Sequence, residues 1–175
     1  MTLRPARASD AETIGRLFAD AIRATAPERY TPEQVDAWAA GAADPGAYGR
    51  RMLRARTTVA EDDMGVVGFV ALGRGGHVAG LFVRGNRQRR GVGRALLAAL
   101  VDRADADGVG RLHAEASVFS LPVFLDAGFV AVETEAVEVR GVPFDRVVVE
   151  RLAGVAGAGP QAGLSARANR RGGAA

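Results

Sequence analysis

The stretch from Leu81 to Leu97, LFVRGNRQRRGVGRALL, most constrains what this chain can fold into. The short apolar run at its start predicts a buried strand, and the apolar spacing from Arg94 onward predicts a helix. The loop between them carries four arginines and ends in Gly91-Val92-Gly93. A strand that leads into a glycine-flanked helix start presents free backbone N–H groups and the positive end of the helix dipole. The pattern therefore predicts an anion site, and a phosphate is the usual ligand of such a site.

Length and composition predict one globular domain. The chain has 175 residues, and 48% of them are apolar, which is enough to bury a substantial core. No apolar run reaches the roughly 18 residues that a membrane span requires. The first ten residues lack the apolar core of a signal peptide, so we expect a cytoplasmic protein. The absence of cysteine excludes disulfides and a cysteine nucleophile, and two histidines far apart give no metal site without carboxylates, so no metal is expected.

The net charge of +3 gives no support for nucleic-acid binding. Every one of the 23 basic residues is arginine, and three of these, Arg167, Arg170 and Arg171, lie beyond Leu152 in a segment without acids. Residues 1–152 therefore carry 20 basic and 20 acidic side chains. The high isoelectric point reflects a short basic tail on a neutral domain, not a basic binding face.

The order of the predicted elements indicates an α/β fold. Capping signals at Ser9 and Thr31 start two helices, the second of which ends in the glycine-rich segment 41–46. Further helices follow Gly91 and Val118. Period-two runs predict strands over 2–7, 57–61, 66–72, 77–83, 112–116, 130–139 and 144–152. We therefore expect a mixed, mostly antiparallel central sheet of six or seven strands flanked by about four helices. The domain is predicted to span residues 1–152, and residues 153–175 to form a disordered Gly/Ala-rich tail.

Three phosphate motifs compete for the glycine loop. A P-loop ends in Gly-Lys-Ser/Thr, and this chain has no lysine. A dinucleotide fingerprint needs glycine or alanine where Leu96 stands. The segment Gln88-Arg89-Arg90-Gly91-Val92-Gly93, by contrast, resembles the Q/R-x-x-G-x-G/A signature of the GNAT superfamily of N-acetyltransferases. Its position between an apolar strand and an amphipathic helix agrees with that resemblance.

A second segment supports the same family. Residues 117–129 resemble the later GNAT motif N-x-x-A-x-x-F-Y-x-x-x-G-F. Glu115-Ala116-Ser117, followed by Pro122, Phe124 and Gly128-Phe129, is similar to a bacterial subgroup with E-A-S-x-x-x-x-P-F-F-x-x-x-G-F. The resemblance covers roughly residues 3–152, in the family's order of elements, and implies the GNAT fold.

The resemblance implies acetyl-CoA as co-substrate, held where two parallel strands, 77–83 and 112–116, splay apart. Backbone groups of Leu81, Phe82 and Val83 would hold the pantetheine arm, because an extended ligand can satisfy a free strand edge. The pyrophosphate would bind residues of the loop and helix start, namely Arg89, Arg90, Gly91, Val92, Gly93 and Arg94. Each of Arg84, Arg87, Arg89 and Arg90 could reach the 3′-phosphate or simply be solvated.

Acetyl transfer to an amine requires a base and an oxyanion donor. An alkyl ammonium has a pKa near 10.4, so a side chain or water must take its proton. Glu115 is the first candidate because it ends the strand that lines the cleft; Glu61 and His77 are alternatives. An ion pair with an arginine is the competing interpretation of Glu115. The oxyanion donor is expected to be a backbone N–H near Phe82 or Val83.

Two positions of the later motif differ from the family pattern. Phe124 stands where many members have the tyrosine proposed to protonate the thiolate, so that role cannot be carried over, and Phe124 is expected to pack against the pantetheine or the core. Ser117 occupies the position of the motif's asparagine, where it could bond the CoA arm or cap the following helix.

The acceptor is the least determined part of the sequence. Tyr30 and Trp38 lie in the region that shapes the acceptor pocket in the family, although Trp38 could equally be a core residue. We expect transfer to a primary amine of a small molecule or peptide by direct attack in a ternary complex. No nucleic acid or membrane partner is expected, and a homodimer is left open. The alternatives are a non-catalytic acyl-CoA-binding module and a domain whose loop binds nothing.

Overall fold

The computed structural model describes residues 1–153, which form seven strands and five α-helices. In chain order the elements are β1 (Thr2–Pro5), α1 (Ala11–Thr25), α2 (Pro32–Ala39), α3 (Pro45–Leu53), β2 (Arg56–Asp62), β3 (Gly65–Leu72), β4 (Val78–Val83), α4 (Val92–Ala106), β5 (Arg111–Ala116), α5 (Leu121–Asp126), β6 (Val130–Val139) and β7 (Val142–Leu152). The prediction of a mixed α/β fold with six or seven strands is confirmed. The predicted tail, apart from Ala153, lies outside the described residues.

The strands form two antiparallel groups. β1 to β4 pair in chain order, and β7 lies between β5 and β6. The groups meet at one point, where His77 and His113 form an isolated parallel bridge just before β4 and within β5. The sheet is therefore open along most of the β4–β5 boundary, where the family resemblance implied that the two strands splay apart.

Two hydrophobic cores cover the two faces of this arrangement. One lies under α4 and α5 and includes Leu96, Leu97 and Leu112; the other lies under α1, α2 and α3 and includes Ile14, Leu17 and Phe69. Leu81 and Val83 contribute to the first core, while Phe82, between them, contributes to the second. β4 thus anchors both cores, because successive side chains of a strand point to opposite faces.

Helix α3 was not predicted, because its sequence contains two glycines and follows a glycine-rich segment. Its N-terminus has ordinary capping: the Asp44 carboxylate accepts the Ala47 N–H at 2.9 Å, and Pro45 occupies the first turn. Its glycines serve packing. A Cβ on Gly49 would lie 1.8 Å from the Ala11 carbonyl oxygen of α1, and a Cβ on Gly15 of α1 would lie 2.0 Å from that of Pro45. The small residues permit direct contact of the two helix backbones.

The capping box predicted at Ser9 is wrong. Asp10 is the buried residue at this end of α1, and its carboxylate accepts the Arg7 N–H at 2.7 Å and pairs with Arg4 at 2.8 Å. Arg4 pairs at the same time with Glu61 on β2. The box predicted at Thr31 is confirmed, since Thr31 and Gln34 each accept the other's backbone N–H.

Two boundaries near the end of the domain also differ from prediction. The segment Val142-Pro143, which the prediction left outside the strands, belongs to β7, and the turn is made by Arg140 and Gly141, both at positive φ. Helix α5 begins at Leu121 instead of Val118, because a hydroxyl-linked turn at Ser117 precedes it.

Candidate active site

The separation of β4 from β5 creates a cleft of about 940 Å³ that crosses the domain. Beyond the His77–His113 bridge the two strands diverge. A bulge in β4 helps them to do so, because Ala71 and Leu72 of β3 face Gly80 and Val78, leaving Ala79 as an additional residue. Bulges bend a strand and are common beside active sites. One end of the cleft is lined by the loop before α4 and the other by α1, α2 and the β6–β7 hairpin.

The register of β4 determines which of its backbone groups face this cleft. Arg84 donates its N–H to Val67 on β3 at 2.8 Å. Hydrogen bonding alternates along an antiparallel strand, so the backbone of Phe82, which is opposite Phe69, also faces β3. The N–H groups of Leu81 and Val83 consequently face β5. The backbone oxyanion donor, left open between Phe82 and Val83 by the sequence, is therefore better sought at Val83; Phe82 lines the cleft with its side chain.

The start of α4 forms the opposite wall at the loop end. Gly91 is the N-cap residue and has a φ of +82°, a conformation that favours glycine. The N–H groups of Val92, Gly93 and Arg94 lie in the first turn of the helix, where no intrahelical acceptor exists. A Cβ on Gly93 would meet only the Val83 side chain, at 3.7 Å, and a Cβ on Gly91 would meet open space. The backbone is therefore accessible to an anion at both glycines.

The five arginines of this region divide into two groups. Arg84 donates to the Val66 carbonyl, Arg87 pairs with Asp62 at 2.8 Å, and Arg94 pairs with Asp126. Arg89 and Arg90 are exposed and pair with no acid among residues 1–153. These two side chains have the greatest freedom to bind a phosphate, whereas the first three mainly fix the loop and the helix.

Gln88 fixes the loop before α4, a role that was not predicted from the sequence. Its side-chain amide donates to the Val83 carbonyl at 3.0 Å, and its amide oxygen accepts the Thr25 hydroxyl at 2.8 Å. The first residue of the glycine signature thereby connects β4, the loop and the end of α1. The position of Gln88 in the signature indicated that it matters for the loop. Its contact with Thr25 spans 63 positions and is not evident from the sequence.

Glu115 lies on β5 and lines the cleft, on the face opposite the buried Leu112 and Ala114. Its carboxylate is 2.9 Å from His77 Nε2. Burial would raise the pKa of Glu115, but the hydrogen bond and charge of His77 and the charge of Arg146 outweigh it, so the pKa is lowered. Glu115 is therefore ionised at neutral pH. The alternative candidate Glu61 is paired with Arg4 and is not among the residues that line the cleft.

Ser117 and Phe124 both line the cleft beyond Glu115. The Ser117 hydroxyl accepts the Ser120 N–H at 3.3 Å and lies 3.2 Å from the Ser120 hydroxyl. Ser117 therefore caps the turn that precedes α5, as the capping alternative has it, but not α5 itself, whose N-cap residue is Ser120. Phe124 is buried and contacts Phe129 edge-on, with ring centroids 5.1 Å apart.

Aromatic side chains dominate the other end of the cleft. The Tyr30 ring lies 5.5 Å from that of Trp38, 5.7 Å from that of Phe144 and 6.1 Å from that of Phe119. Burial raises the pKa of Tyr30, an effect that the Val118 backbone partly offsets. We call these four residues the aromatic wall. Phe119 and Phe144 were not predicted as site residues, since they come from a turn and a strand distant from the tyrosine in sequence.

Two acidic side chains accompany the aromatic wall. Glu28 and Asp145 line the cleft, are exposed, and form no ion pair among residues 1–153. Arg146, which follows Asp145, is paired with Glu135 at 2.8 Å. The end of the cleft near Tyr30 thus combines apolar rings with two unpaired carboxylates, while the Arg51 guanidinium, which lies over the Tyr48 ring, lines the same cleft.

Neither a metal centre nor a membrane span is found in the part of the chain that the structure describes. No three His, Asp or Glu side chains within residues 1–153 cluster closely enough to hold a metal ion. Of the helices described, none combines the length and the apolar character needed to cross a bilayer.

Comparison with known proteins gives a consistent result. Residues 26–150 match the family model described as "Acetyltransferase (GNAT) domain". The chain is 31% identical over 143 residues to "Uncharacterized N-acetyltransferase YafP" of Escherichia coli K12, covering 81% of this chain and 89% of that protein.

Solved structures show the same fold. The crystal structure of "GCN5-Related N-acetyltransferase: Aminotransferase, Class-II" from Rhodopseudomonas palustris aligns with a TM-score of 0.81 and 28% identity, covering 86% of this chain and 94% of that one. The structure of yncA from Salmonella typhimurium, described as a putative acetyltransferase with its cofactor acetyl-CoA, aligns with a TM-score of 0.63 and 23% identity, covering 93% of this chain and 98% of that one. The chain belongs to the GNAT family of acetyltransferases.

Proposed function

We propose that this protein transfers the acetyl group of acetyl-CoA to a primary amine of a small molecule or peptide, by direct attack in a ternary complex. The single observation that carries the proposal is the cleft, which is lined by the glycine-flanked start of α4, by Glu115 and by the aromatic wall. Such a cleft can hold two substrates in contact. Holding both reactants in one site supplies much of the rate enhancement of a bimolecular reaction.

The residues of the donor end fit CoA. The free edge of β4 at Leu81 and Val83 offers an extended ligand the hydrogen bonds of a missing strand. The N–H groups of the first turn of α4 suit a pyrophosphate, and Arg89 and Arg90 are free to neutralise a further phosphate. Ser117, directly after β5, would supply a polar contact, and Phe124 on α5 would supply an apolar one. When bound there, acetyl-CoA supplies an acetyl group activated as a thioester.

The chain's own groups would then perform three tasks. Glu115 takes the proton from the acceptor ammonium, which must be neutral to attack. The Val83 N–H donates to the oxygen that gains negative charge during transfer. Phe124 has no proton to give, so the leaving thiolate must be protonated by solvent; a thiol with a pKa of about 8.5 permits this.

The aromatic wall favours an acceptor whose amine is attached to an apolar, ring-containing body. Tyr30 and Trp38 offer flat apolar area, and an ammonium is attracted to the faces of such rings. Glu28 and Asp145 add the negative charge that attracts a cationic acceptor. A long polyamine would place several charges against the rings without enough acids to pair them.

A panel of amines tests the proposal. Thiol release from acetyl-CoA is measured with phenethylamine, tryptamine, hexylamine, spermidine and short peptides with a free N-terminus. We expect turnover, highest with the ring-containing amines. Isothermal titration with CoA, run in parallel, separates the donor site from the chemistry.

The second candidate function is a non-catalytic acyl-CoA-binding module. Phe124 favours it, because a buried phenylalanine stands where the family commonly has a proton donor. Tight CoA binding without thiol release on any amine of the panel would support this candidate. No CoA binding by folded protein would contradict both functions.

A further inference from the structure

The two histidines of the chain lie together at the point where the sheet divides. His77 and His113 form the bridge between the two strand groups, and their rings stack with centroids 5.1 Å apart. The His77 ring has one nitrogen, Nε2, 2.9 Å from Glu115 Oε2. The His77 ring is thus held by stacking against His113 and by its hydrogen bond to Glu115.

The direction of the His77–Glu115 hydrogen bond follows from charge. An ionised carboxylate can only accept, so Nε2 carries the proton and donates it. One carboxylate oxygen is thereby occupied, and the other remains for the cleft that Glu115 lines. Since Glu115 is otherwise an exposed side chain on a strand, the imidazole restricts where its carboxylate can be.

His77 and His113 differ in their surroundings. About 37% of the His77 side chain is exposed. Burial and the proximity of His77 lower the pKa of His113, and its Nδ1 is buried with no partner among residues 1–153. The charged groups around this pair are Glu115, Arg146, Arg111 and Glu150. Within the described residues, His77 is the side chain that hydrogen-bonds to the Glu115 carboxylate.

We infer that His77 is a positioning residue which holds the Glu115 carboxylate toward the acceptor amine. This inference rests on the proposed function, because it concerns the base of that reaction. A general base must lie within hydrogen-bond reach of the proton that it takes. Loss of the imidazole N–H should therefore reduce turnover, and another N–H donor at the same position should preserve it.

Two substitutions at one position test whether the imidazole N–H holds Glu115. In His77→Gln a side-chain N–H can still donate to Glu115. In His77→Ala the donor is lost. The readout is kcat/KM with the best amine of the panel at pH 8, expressed as the ratio of variant to wild type.

For His77→Gln we expect a ratio within about threefold of 1, since the hydrogen bond to Glu115 can still form. For His77→Ala we expect a ratio of about 0.1. Glu61→Gln, which alters a carboxylate outside the cleft, should give a ratio near 1. Equal losses in His77→Gln and His77→Ala, or full activity of His77→Ala, would overturn the inference.

A second measurement does not depend on turnover. Because the chain has two histidines, long-range ¹H–¹⁵N spectra resolve both rings, and His113→Gln assigns them. At pH 8 we expect His77 to be held as the Nε2–H form in the wild type and to exchange between both neutral forms in Glu115→Ala. The same spectrum in both proteins would contradict the positioning role. If no amine is acetylated, the proposed function fails while this spectrum still decides whether His77 holds Glu115.

Discussion

The two ends of the cleft are constructed in different ways. The donor end is made by one continuous segment, from the edge of β4 through the loop to the first turn of α4, and its binding groups are mostly backbone amides. The acceptor end is made by side chains from α2, the turn before it, the turn after β5, and β7. A site made of contiguous backbone should tolerate substitution of most side chains but not of its glycines, and a site made of distant side chains should behave in the opposite way.

The largest effect is expected from Gly93→Ala at the donor end. A methyl group there fits against Val83 without a clash, yet it occupies space through which a ligand would reach the helix start. We expect CoA affinity to fall by roughly 10- to 100-fold, equivalent to an overpacking cost of 1–3 kcal/mol, with an unchanged melting temperature. Titration calorimetry measures this. Gly110→Ala is the control, because a methyl group there meets open space away from the cleft; equal affinities of the two variants would contradict the donor site.

The next effect concerns the acceptor end. Trp38→Leu removes a ring from the aromatic wall and leaves the α4 loop untouched. We expect KM for phenethylamine to rise about tenfold, the value of one lost aromatic contact, while KM for hexylamine changes little. CoA affinity should stay within about twofold of wild type. A parallel loss for both amines would show that Trp38 acts only through the core, and would remove the distinction between the two ends.

A smaller effect is expected from Gln88→Ala. The substitution breaks the bonds to Val83 and Thr25 without touching the glycines, so CoA affinity should fall about fivefold, in line with roughly 1 kcal/mol for one net hydrogen bond. Thr25→Val removes only the second bond and should cost less. If Thr25→Val equals Gln88→Ala in calorimetry, the loop is held from α1 and not from β4.

The smallest effect on ligand binding at either end of the cleft is expected from Asp10→Asn, because Asp10 lies outside the cleft. Hydrogen bonding to Arg4 lowers the pKa of Asp10, so this residue contributes stability above the pKa of the unfolded chain, near 3.9, and the contribution is lost as pH falls through the lower folded value. We expect the variant to be less stable by about 1–3 kcal/mol at pH 7 and the difference to narrow below about pH 4 in urea unfolding. Glu12→Gln, an exposed pair with Arg16, should cost under about 0.5 kcal/mol.

The same contrast explains what the sequence could and could not predict. The loop from Leu81 to Arg94 was interpretable because its residues are neighbours in sequence and its glycines have a backbone role. Glu115 was placed on the cleft face from the alternation of one strand. The contacts of Phe119 and Phe144 with Tyr30 depend on how distant elements pack, and no local pattern encodes that. Gly49 is similar, because its close approach to Ala11 depends on how α1 and α3 pack.

The division of the sheet between β4 and β5 has one further consequence, for association between molecules. Free strand edges are places where chains pair with other chains and aggregate. Here the free edges of Leu81 and Val83 lie inside a cleft between the α1 and α4 sides of the domain, where a second sheet cannot enter. A thin, extended ligand can enter this cleft. The geometry that makes these amides available to a substrate arm therefore also protects the protein from pairing with its own copies at this edge.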